Sequence, residues 1–130
     1  MSLLDMDRFC EMANADPEFL ITARFWNTSL KLEMEESAHI LLVEDGRIAG
    51  VNFNPSPSDH WDIKISGFAE DWRNMFEPIP KPFYQDLFAA TVYHGFSYEG
   101  DLELMFAYYP ALRRMIEIMR ECAAANLKME

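Results

Sequence analysis

The sequence has 130 residues, a length typical of one domain, and half of them are hydrophobic, which is enough to form a buried core. Its formal net charge of −11 argues against binding to nucleic acid or to an anionic membrane surface, because both attract basic patches. The acidic N-terminus lacks the cationic start of a signal peptide, and no apolar run approaches the ~20 residues of a membrane span. We therefore expect a single cytoplasmic domain, residues 1–130, without stable membrane insertion.

The first part of the chain, residues 1–23, is predicted to be helical. Apolar side chains recur at helical spacing over residues 3–14, which indicates an amphipathic helix. A second, short helix is predicted next, because Asp16 can cap a helix and Pro17 suits the first helical position. Strand-like sequence then begins, and we assign residues 24–120 to the core of the domain.

Strands are predicted in the segment that follows. From Leu30 the hydrophobic period changes to two residues, as in a strand with one buried face. Two further apolar runs are joined by Asp45-Gly46, a pair that supplies the positive φ angles of a tight hairpin. A fourth strand is indicated where Ile63 and Ile65 alternate with charged residues. We interpret these four strands as an antiparallel meander with one buried face.

The hydrophobic period becomes helical again after the fourth strand. One helix is predicted over residues 68–76, and another over residues 83–92 with Pro82 near its start. A short fifth strand is indicated by Phe96 and Tyr98. The last helix follows and carries an apolar stripe of Leu112, Met115, Ile116, Met119 and Cys122. This order of elements predicts an α+β fold, a sheet with one face covered by helices.

No pattern in the sequence is typical of catalysis, of a metal site or of a cofactor site. The three histidines, His39, His60 and His94, are widely spaced and form no metal-binding motif. Cys10 and Cys122 fall on apolar helical stripes, which is typical of small core residues. The sequence contains neither a GxSxG elbow nor a glycine-rich phosphate loop. We therefore predict a protein that is not an enzyme and that has neither a cofactor nor a bound metal.

Large apolar side chains are concentrated between residues 68 and 109, where many are aromatic. Helices packed on a sheet need such residues as core filler. Helices on one sheet face can also leave an apolar cleft that holds a small molecule. A filled core, a lined cavity and a dimer interface all agree with this composition.

The order of several short motifs resembles that of the sterol carrier protein 2 (SCP2-like) family. The motifs are SLKLEM, LLVEDGRI, WDIKISGFAEDW and EGDL, the last one followed by an apolar helix. Together they cover about residues 24–120. The resemblance implies a five-stranded, mostly antiparallel sheet packed with helices around a hydrophobic tunnel. It also implies non-covalent binding of sterols, fatty acids, acyl chains or other lipids.

The resemblance implies a position for the tunnel as well. Its walls would come from the two middle helices and from residues 96–109, and we expect Trp72, Phe76, Tyr84, Phe88, Tyr98, Met105 and Tyr109 to line it. The proline-rich connector EPIPKPFYQD departs from the family pattern and would narrow, lid or reshape the tunnel. The N-terminal helix, residues 3–14, lies outside the common core and would pack against the tunnel mouth or a second subunit. The final residues, LKME, are not the peroxisomal Ser-Lys-Leu signal, as expected for a stand-alone bacterial-type member.

The expected function is binding, with transfer or presentation, of a small hydrophobic ligand such as a lipid, fatty acid or acyl compound. One alternative is a homodimeric accessory protein whose apolar surface contacts a partner. A second alternative is an enzyme that acts on an acyl thioester with Asp or His catalysis, for example through His60 or His94.

Overall fold

The computed structural model describes residues 4–129, with side chains for residues 4–124. Six helices and five strands alternate in blocks along this part of the chain. In chain order they are α1 (Met6–Asn14), α2 (Pro17–Thr22), β1 (Thr28–Glu33), β2 (Ala38–Glu44), β3 (Arg47–Asn52), β4 (Ile63–Ser66), α3 (Ala69–Met75), α4 (Leu87–Tyr93), β5 (Ser97–Gly100), α5 (Leu102–Ala107) and α6 (Tyr109–Met129).

The five strands form one sheet in the order β3-β2-β1-β4-β5. Three neighbouring pairs are antiparallel, and the central pair, β1 with β4, is parallel. The Asp45-Gly46 hairpin joins β2 to β3 as predicted, and Gly46 has the expected positive φ of 78°. The fold is therefore α+β with a mostly antiparallel five-stranded sheet, which confirms the predicted class.

The predicted four-stranded meander is wrong at its fourth strand. After β3 the chain returns across the sheet, and β4 lies parallel to β1 with Leu30 opposite Ile63. Asp62 fixes this return, because its amide donates to the Ser29 carbonyl at 2.8 Å and its carboxylate accepts from the Ser29 amide at 2.9 Å. Alternation of side chains sets which face a strand buries, but it does not say which strand lies beside it.

The helices cover one face of the sheet, as predicted. On the covered face the inward side chains of β1 and β4 are buried, and these are Leu30, Leu32, Ile63 and Ile65. On the opposite face Glu33 pairs with Lys31 at 3.5 Å and with Lys64 at 3.9 Å. The predicted stripe of α6 is buried along its whole length, from Leu112 to Cys122, so this helix packs as the period indicated.

The N-terminal helices are tied to the rest of the domain by side-chain hydrogen bonds. Asn14 pairs with both backbone groups of Ile48 on the edge strand β3, at 3.0 and 2.9 Å. Asp16 caps α2 through the Phe19 amide at 2.8 Å, and Pro17 occupies the first helical position, as predicted. The predicted first helix is confirmed from Met6, while residue 3 lies outside the described part of the chain.

The two middle helices begin later than predicted. Phe68 is the capping residue of α3 and is exposed, so it does not share the buried face of Trp72 and Met75. The helix predicted over residues 83–92 begins only at Leu87, since Phe83 has a φ of 69°, which a right-handed helix cannot contain.

Candidate ligand-binding site

The seven predicted wall residues differ widely in burial. Phe88 is half exposed, whereas Tyr98 and Tyr109 are half-buried. Buried in the interior are Trp72, Phe76, Tyr84 and Met105. Ring contacts collect Trp72, Phe76 and Phe96 into one group and Tyr98, Phe106 and Tyr109 into another. Within residues 4–124 no ring contact joins the two groups, although Trp72, Phe76 and Met105 belong to one hydrophobic core against which Tyr98 and Tyr109 pack.

Trp72 holds α3 against the end of β1. Its indole Nε1 donates to the Glu33 carbonyl at 2.8 Å, and its ring meets Phe96 edge-on with centroids 4.9 Å apart. Phe76 lies on the other side at 5.7 Å. Gly67 permits this packing, because a Cβ there would lie 2.7 Å from the Phe96 ring. The polar group of Trp72 is therefore satisfied by the protein itself.

Tyr84 holds the proline-rich connector against α3. Its hydroxyl donates to Asp71 Oδ1 at 2.6 Å and accepts from the Asn74 amide at 3.4 Å. Its ring stacks on His94, with centroids 3.7 Å apart. Burial and the hydrogen bond to Asp71 raise the pKa of Tyr84, so the phenol stays protonated. This hydroxyl is already engaged and acts as a structural group.

Tyr109 joins the start of α4 to the start of α6. Its hydroxyl donates to Asp86 Oδ1 at 2.7 Å and accepts from the Phe88 amide at 3.0 Å. The second oxygen of Asp86 caps α4 through the Ala89 amide at 3.3 Å. Burial, followed by the bond to Asp86, raises the pKa of Tyr109. This arrangement decides how α4 is oriented on the domain.

Helix α4 buries Leu87 and Ala90 and turns its larger apolar side chains outward. With their neighbours these side chains form what we call the aromatic surface, which comprises Phe83, Phe88, Val92, Tyr93 and Phe106, with exposures of 42%, 50%, 61%, 61% and 46%. Phe83 stacks on Tyr93 at 3.9 Å. Phe106 connects this surface to the interior, because it contacts the half-buried Tyr98 edge-on at 5.8 Å.

Four members of the aromatic surface were absent from the predicted wall residues. Phe88 and Val92 are four residues apart on a helix, and this spacing places them on one face. The sequence therefore predicts that Phe88 and Val92 share one helix face, but it does not predict that this face is exposed.

The three histidines have different surroundings. His39 is buried beside Phe53, His60 lies 2.8 Å from Asp62, and His94 stacks on Tyr84. No cluster of three or more His, Cys, Asp and Glu residues in the described chain could hold a metal ion. Burial raises the pKa of Cys10 to about 11, so its thiol is a poor nucleophile at neutral pH. Among residues 4–129 no helix has the length and apolar character needed to cross a membrane.

A separate recess of about 320 Å³ lies against α6, and four of its six lining residues are charged. Its arginines are already engaged, since Arg114 binds Asp16 and Arg120 donates to the Met75 carbonyl at 2.9 Å. The walls of the recess are formed by Pro78, Arg114, Glu117, Arg120, Glu121 and Ala124, and they include no predicted wall residue.

Comparison with known proteins identifies the fold. Neither a protein-family model nor a curated protein sequence matches this chain. The crystal structure of sterol carrier protein 2 superposes with a TM-score of 0.72 at 17% identity, covering 89% of this chain and 93% of that chain. A conserved hypothetical protein from Thermus thermophilus, for which a sterol-carrier role was suggested, gives 0.65 at 17% identity, covering 88% and 82%. The UbiJ-SCP2 ubiquinone synthesis protein gives 0.56 at 13% identity, covering 85% and 90%. In its fold, this chain is an SCP2-like domain.

Proposed function

We propose that this protein binds a small hydrophobic ligand, such as a lipid, fatty acid or acyl compound, without covalent chemistry. The observation that carries the proposal is the aromatic surface, which is exposed to water and reaches the half-buried Tyr98 through Phe106. Soluble domains rarely expose a continuous apolar surface unless it binds something. The name of the neighbour with the highest TM-score quoted above, a sterol carrier, agrees with this proposal.

Apolar burial would supply most of the binding free energy. Each methylene group removed from water contributes ~0.8 kcal/mol. A ten-carbon chain would therefore contribute several kcal/mol before the costs of ordering are subtracted. Phe88 and Val92 would lose contact with water at the same time, which adds to the favourable term.

The ligand would reach the interior beside α4. Trp72 and Met105 are only 1% and 0% exposed, so in this structure they contact protein on all sides. Ligand entry therefore requires interior side chains to move, and we place the entry at α4 because its larger apolar side chains are already exposed. The bonds from Tyr109 to Asp86 and from Tyr84 to Asp71 hold α4 and the preceding connector in place and would open first.

The test is native mass spectrometry of the freshly purified protein, followed by organic extraction and by titration with a fluorescent fatty acid. We expect a co-purified lipid, or saturable uptake of one probe molecule per chain. Phe88→Ala should weaken uptake about fivefold, because about 1 kcal/mol of apolar contact is lost. The matched control is Phe53→Ala, since Phe53 is 52% exposed but lies outside the aromatic surface. A protein that neither carries a lipid nor takes up the probe would refute the proposal.

A second candidate function uses the same surface. A homodimer could bury Phe88 and Val92 against a second copy of the chain, as obligate interfaces do with apolar residues. Sedimentation velocity separates the two functions. A ligand-free dimer that Phe88→Asp dissociates would assign the aromatic surface to a subunit interface, whereas a monomer that takes up lipid would assign it to the ligand.

A further inference from the structure

Trp26 carries a buried hydrogen-bond donor that has no acceptor in the described chain. Its side chain is 0% exposed, and its indole Nε1 has no hydrogen-bond partner. Trp72, which is also buried, donates its own Nε1 to a backbone carbonyl. Buried donors are seldom left unpaired, because water satisfies them in the unfolded chain. The donor of Trp26 is therefore available to an acceptor that residues 4–124 do not supply.

The position of Trp26 places its ring against Tyr108, which lies close in the chain to two predicted wall residues. The backbone around it is fixed, since the Gly46 amide donates to the Trp26 carbonyl at 3.0 Å. The indole stacks on Tyr108, with centroids 5.4 Å apart and planes inclined by 13°. Tyr108 directly precedes Tyr109 and follows Met105 by three residues, about one helical turn.

Trp26 and Trp72 mark opposite ends of β1. Trp26 comes just before Thr28, where β1 begins, and Trp72 is bonded to Glu33, where it ends. Six residues of strand separate these ends by roughly 17 Å. An extended hydrocarbon chain along β1 would span this distance once the core side chains that cover the strand, such as Leu30 and Leu32, move aside.

We propose that the ligand carries a neutral carbonyl oxygen at one end and that this oxygen accepts the hydrogen bond from Trp26 Nε1, while the hydrocarbon chain extends toward Trp72. The inference rests on the proposed function and names the chemical class of its ligand. An ester, thioester or ketone fits, since each has an uncharged acceptor.

A free carboxylate fits less well, because a buried negative charge needs a cation or several donors. Trp26 offers one donor. The cation nearest to it along the chain is Arg24, whose guanidinium lies 5.2 Å from the ring centre of Phe25, a residue that is 71% exposed. Arg24 is therefore held toward the surface and not toward the indole.

The interior could adapt to such a ligand by moving methionine side chains. Methionine is unbranched and fills irregular spaces in several conformations. The buried methionines within residues 4–124 are Met6, Met34, Met75, Met105, Met115 and Met119. Met105 lies on α5, three residues before the Tyr108 ring on which Trp26 stacks, so its rearrangement would open space beneath that helix.

The experiment observes the indole N–H signals of the ¹⁵N-labelled full chain by NMR. The chain has three tryptophans, and Trp→Phe variants assign their signals. The probes are methyl laurate, laurate and dodecane, which share a twelve-carbon chain and differ in the oxygen they offer. We expect methyl laurate to move the Trp26 proton signal downfield, the direction of a new hydrogen bond. Trp61 contacts Lys64 away from the proposed ligand, so its signal serves as an internal reference.

A variant measures the same interaction by affinity. Trp26→Phe keeps an aromatic ring beside Tyr108 and removes the donor. The preference for methyl laurate over dodecane should fall about fivefold to tenfold, the effect of one hydrogen bond. Trp61→Phe is the control, since Trp61 lies over Lys64 on the outer side of the sheet and should keep the preference.

The outcomes separate this inference from the proposed function. Uptake of methyl laurate with an unmoved Trp26 signal would overturn the inference and leave lipid binding intact. Tighter binding of laurate, with a larger shift of the same signal, would overturn the neutral carbonyl in favour of a carboxylate. Failure of all three probes to bind would refute the proposed function and the inference together.

Discussion

Gly100 explains one of the motifs on which the family resemblance was based. It has a φ of 105°, and a Cβ at this position would lie 2.2 Å from the Asp62 carbonyl oxygen. The Asp101 amide donates to the same oxygen at 2.8 Å, and the Asp101 carboxylate caps α5 at the Leu104 amide. The EGDL motif therefore closes the junction between β5 and α5 and is structural.

Replacing this glycine should destabilise the domain strongly. We expect Gly100→Ala to lower the free energy of unfolding by about 2 kcal/mol or more, because the new methyl group clashes and the positive φ is strained. Gly50→Ala is the matched control, since no heavy atom lies within 4 Å of a Cβ at Gly50. Urea unfolding followed by circular dichroism measures both variants. Equal stability of the two variants would contradict this account of the junction.

The tyrosine hydroxyls and the Trp26 indole have opposite roles. A tyrosine hydroxyl in a tunnel wall could anchor the polar headgroup of a ligand. In the structure Tyr84 and Tyr109 donate to Asp71 and Asp86, so both hydroxyls are engaged within the protein. Trp26 was not predicted as a site residue, although its indole donor, unlike these two hydroxyls, has no partner within the described residues. No signal in the sequence distinguishes a paired indole from an unpaired one.

At the scale of whole elements, an ion pair joins helix α2 to helix α6. Arg114 donates two hydrogen bonds to the carboxylate of Asp16, at 2.9 and 2.8 Å, and Asp16 also caps α2. The hydrogen bond from Arg114 holds the pKa of Asp16 below its usual range. Both side chains are mostly shielded from solvent, so the pair is worth more than an exposed one.

Two substitutions at Asp16 separate the ion pair from the helix cap. Asp16→Asn keeps a capping oxygen and loses the charge, so we expect a loss of about 1 kcal/mol in unfolding free energy. Asp16→Ala loses the cap as well and should cost about 1 kcal/mol more. Urea unfolding measures both. If the Asn variant were as stable as the unmodified protein, the pair would contribute nothing to holding α2 against α6.

Helix α4 has apolar residues around most of its circumference, so its period does not select a buried face. Its seven residues, LFAATVY, include a single polar side chain. The inward face is Leu87 and Ala90 because Tyr109 bonds to Asp86 and to the Phe88 amide, which fixes the rotation of the helix. Contacts between residues about twenty positions apart thus expose Phe88 and Val92, and with them the aromatic surface.

The pH dependence of stability is a property of the whole molecule. We expect the free energy of unfolding to fall in two acidic pH ranges. His39 is buried and its Nδ1 has no partner, so burial lowers its pKa below the ordinary 6.5. The unfolded chain then binds a proton more readily than the folded one, and stability falls as pH decreases below about 6.5. Asp16 has a lowered pKa in the folded state, so its contribution is lost at pH values below about 4.

Unfolding free energies measured in urea from pH 7.5 to pH 3 would test this. The unmodified protein should lose stability in both ranges. His39→Leu should abolish the loss between pH 6.5 and 5 and leave the more acidic one, because leucine does not titrate. A variant that still loses stability near pH 6 would show that another group is responsible for the loss in the first range.

The sequence by itself determined the features that depend on neighbours within a few positions. The hairpin at Asp45-Gly46, the cap at Asp16 and the buried stripe of α6 all follow from local patterns, and all are present in the structure. The order of motifs also indicated the SCP2-like fold, which the solved structures confirm.

Only the tertiary structure decided which distant segments meet. The parallel pairing of β1 with β4, the outward face of α4 and the unpaired donor of Trp26 each depend on residues far apart in the chain. The hydrophobic period predicts that a residue is buried, but it does not predict which residues it contacts. The hydrophobic effect is non-directional, whereas the hydrogen bonds that fix these contacts are directional. For this reason the lining of the site by the seven predicted residues stays a prediction, whereas the fold is established.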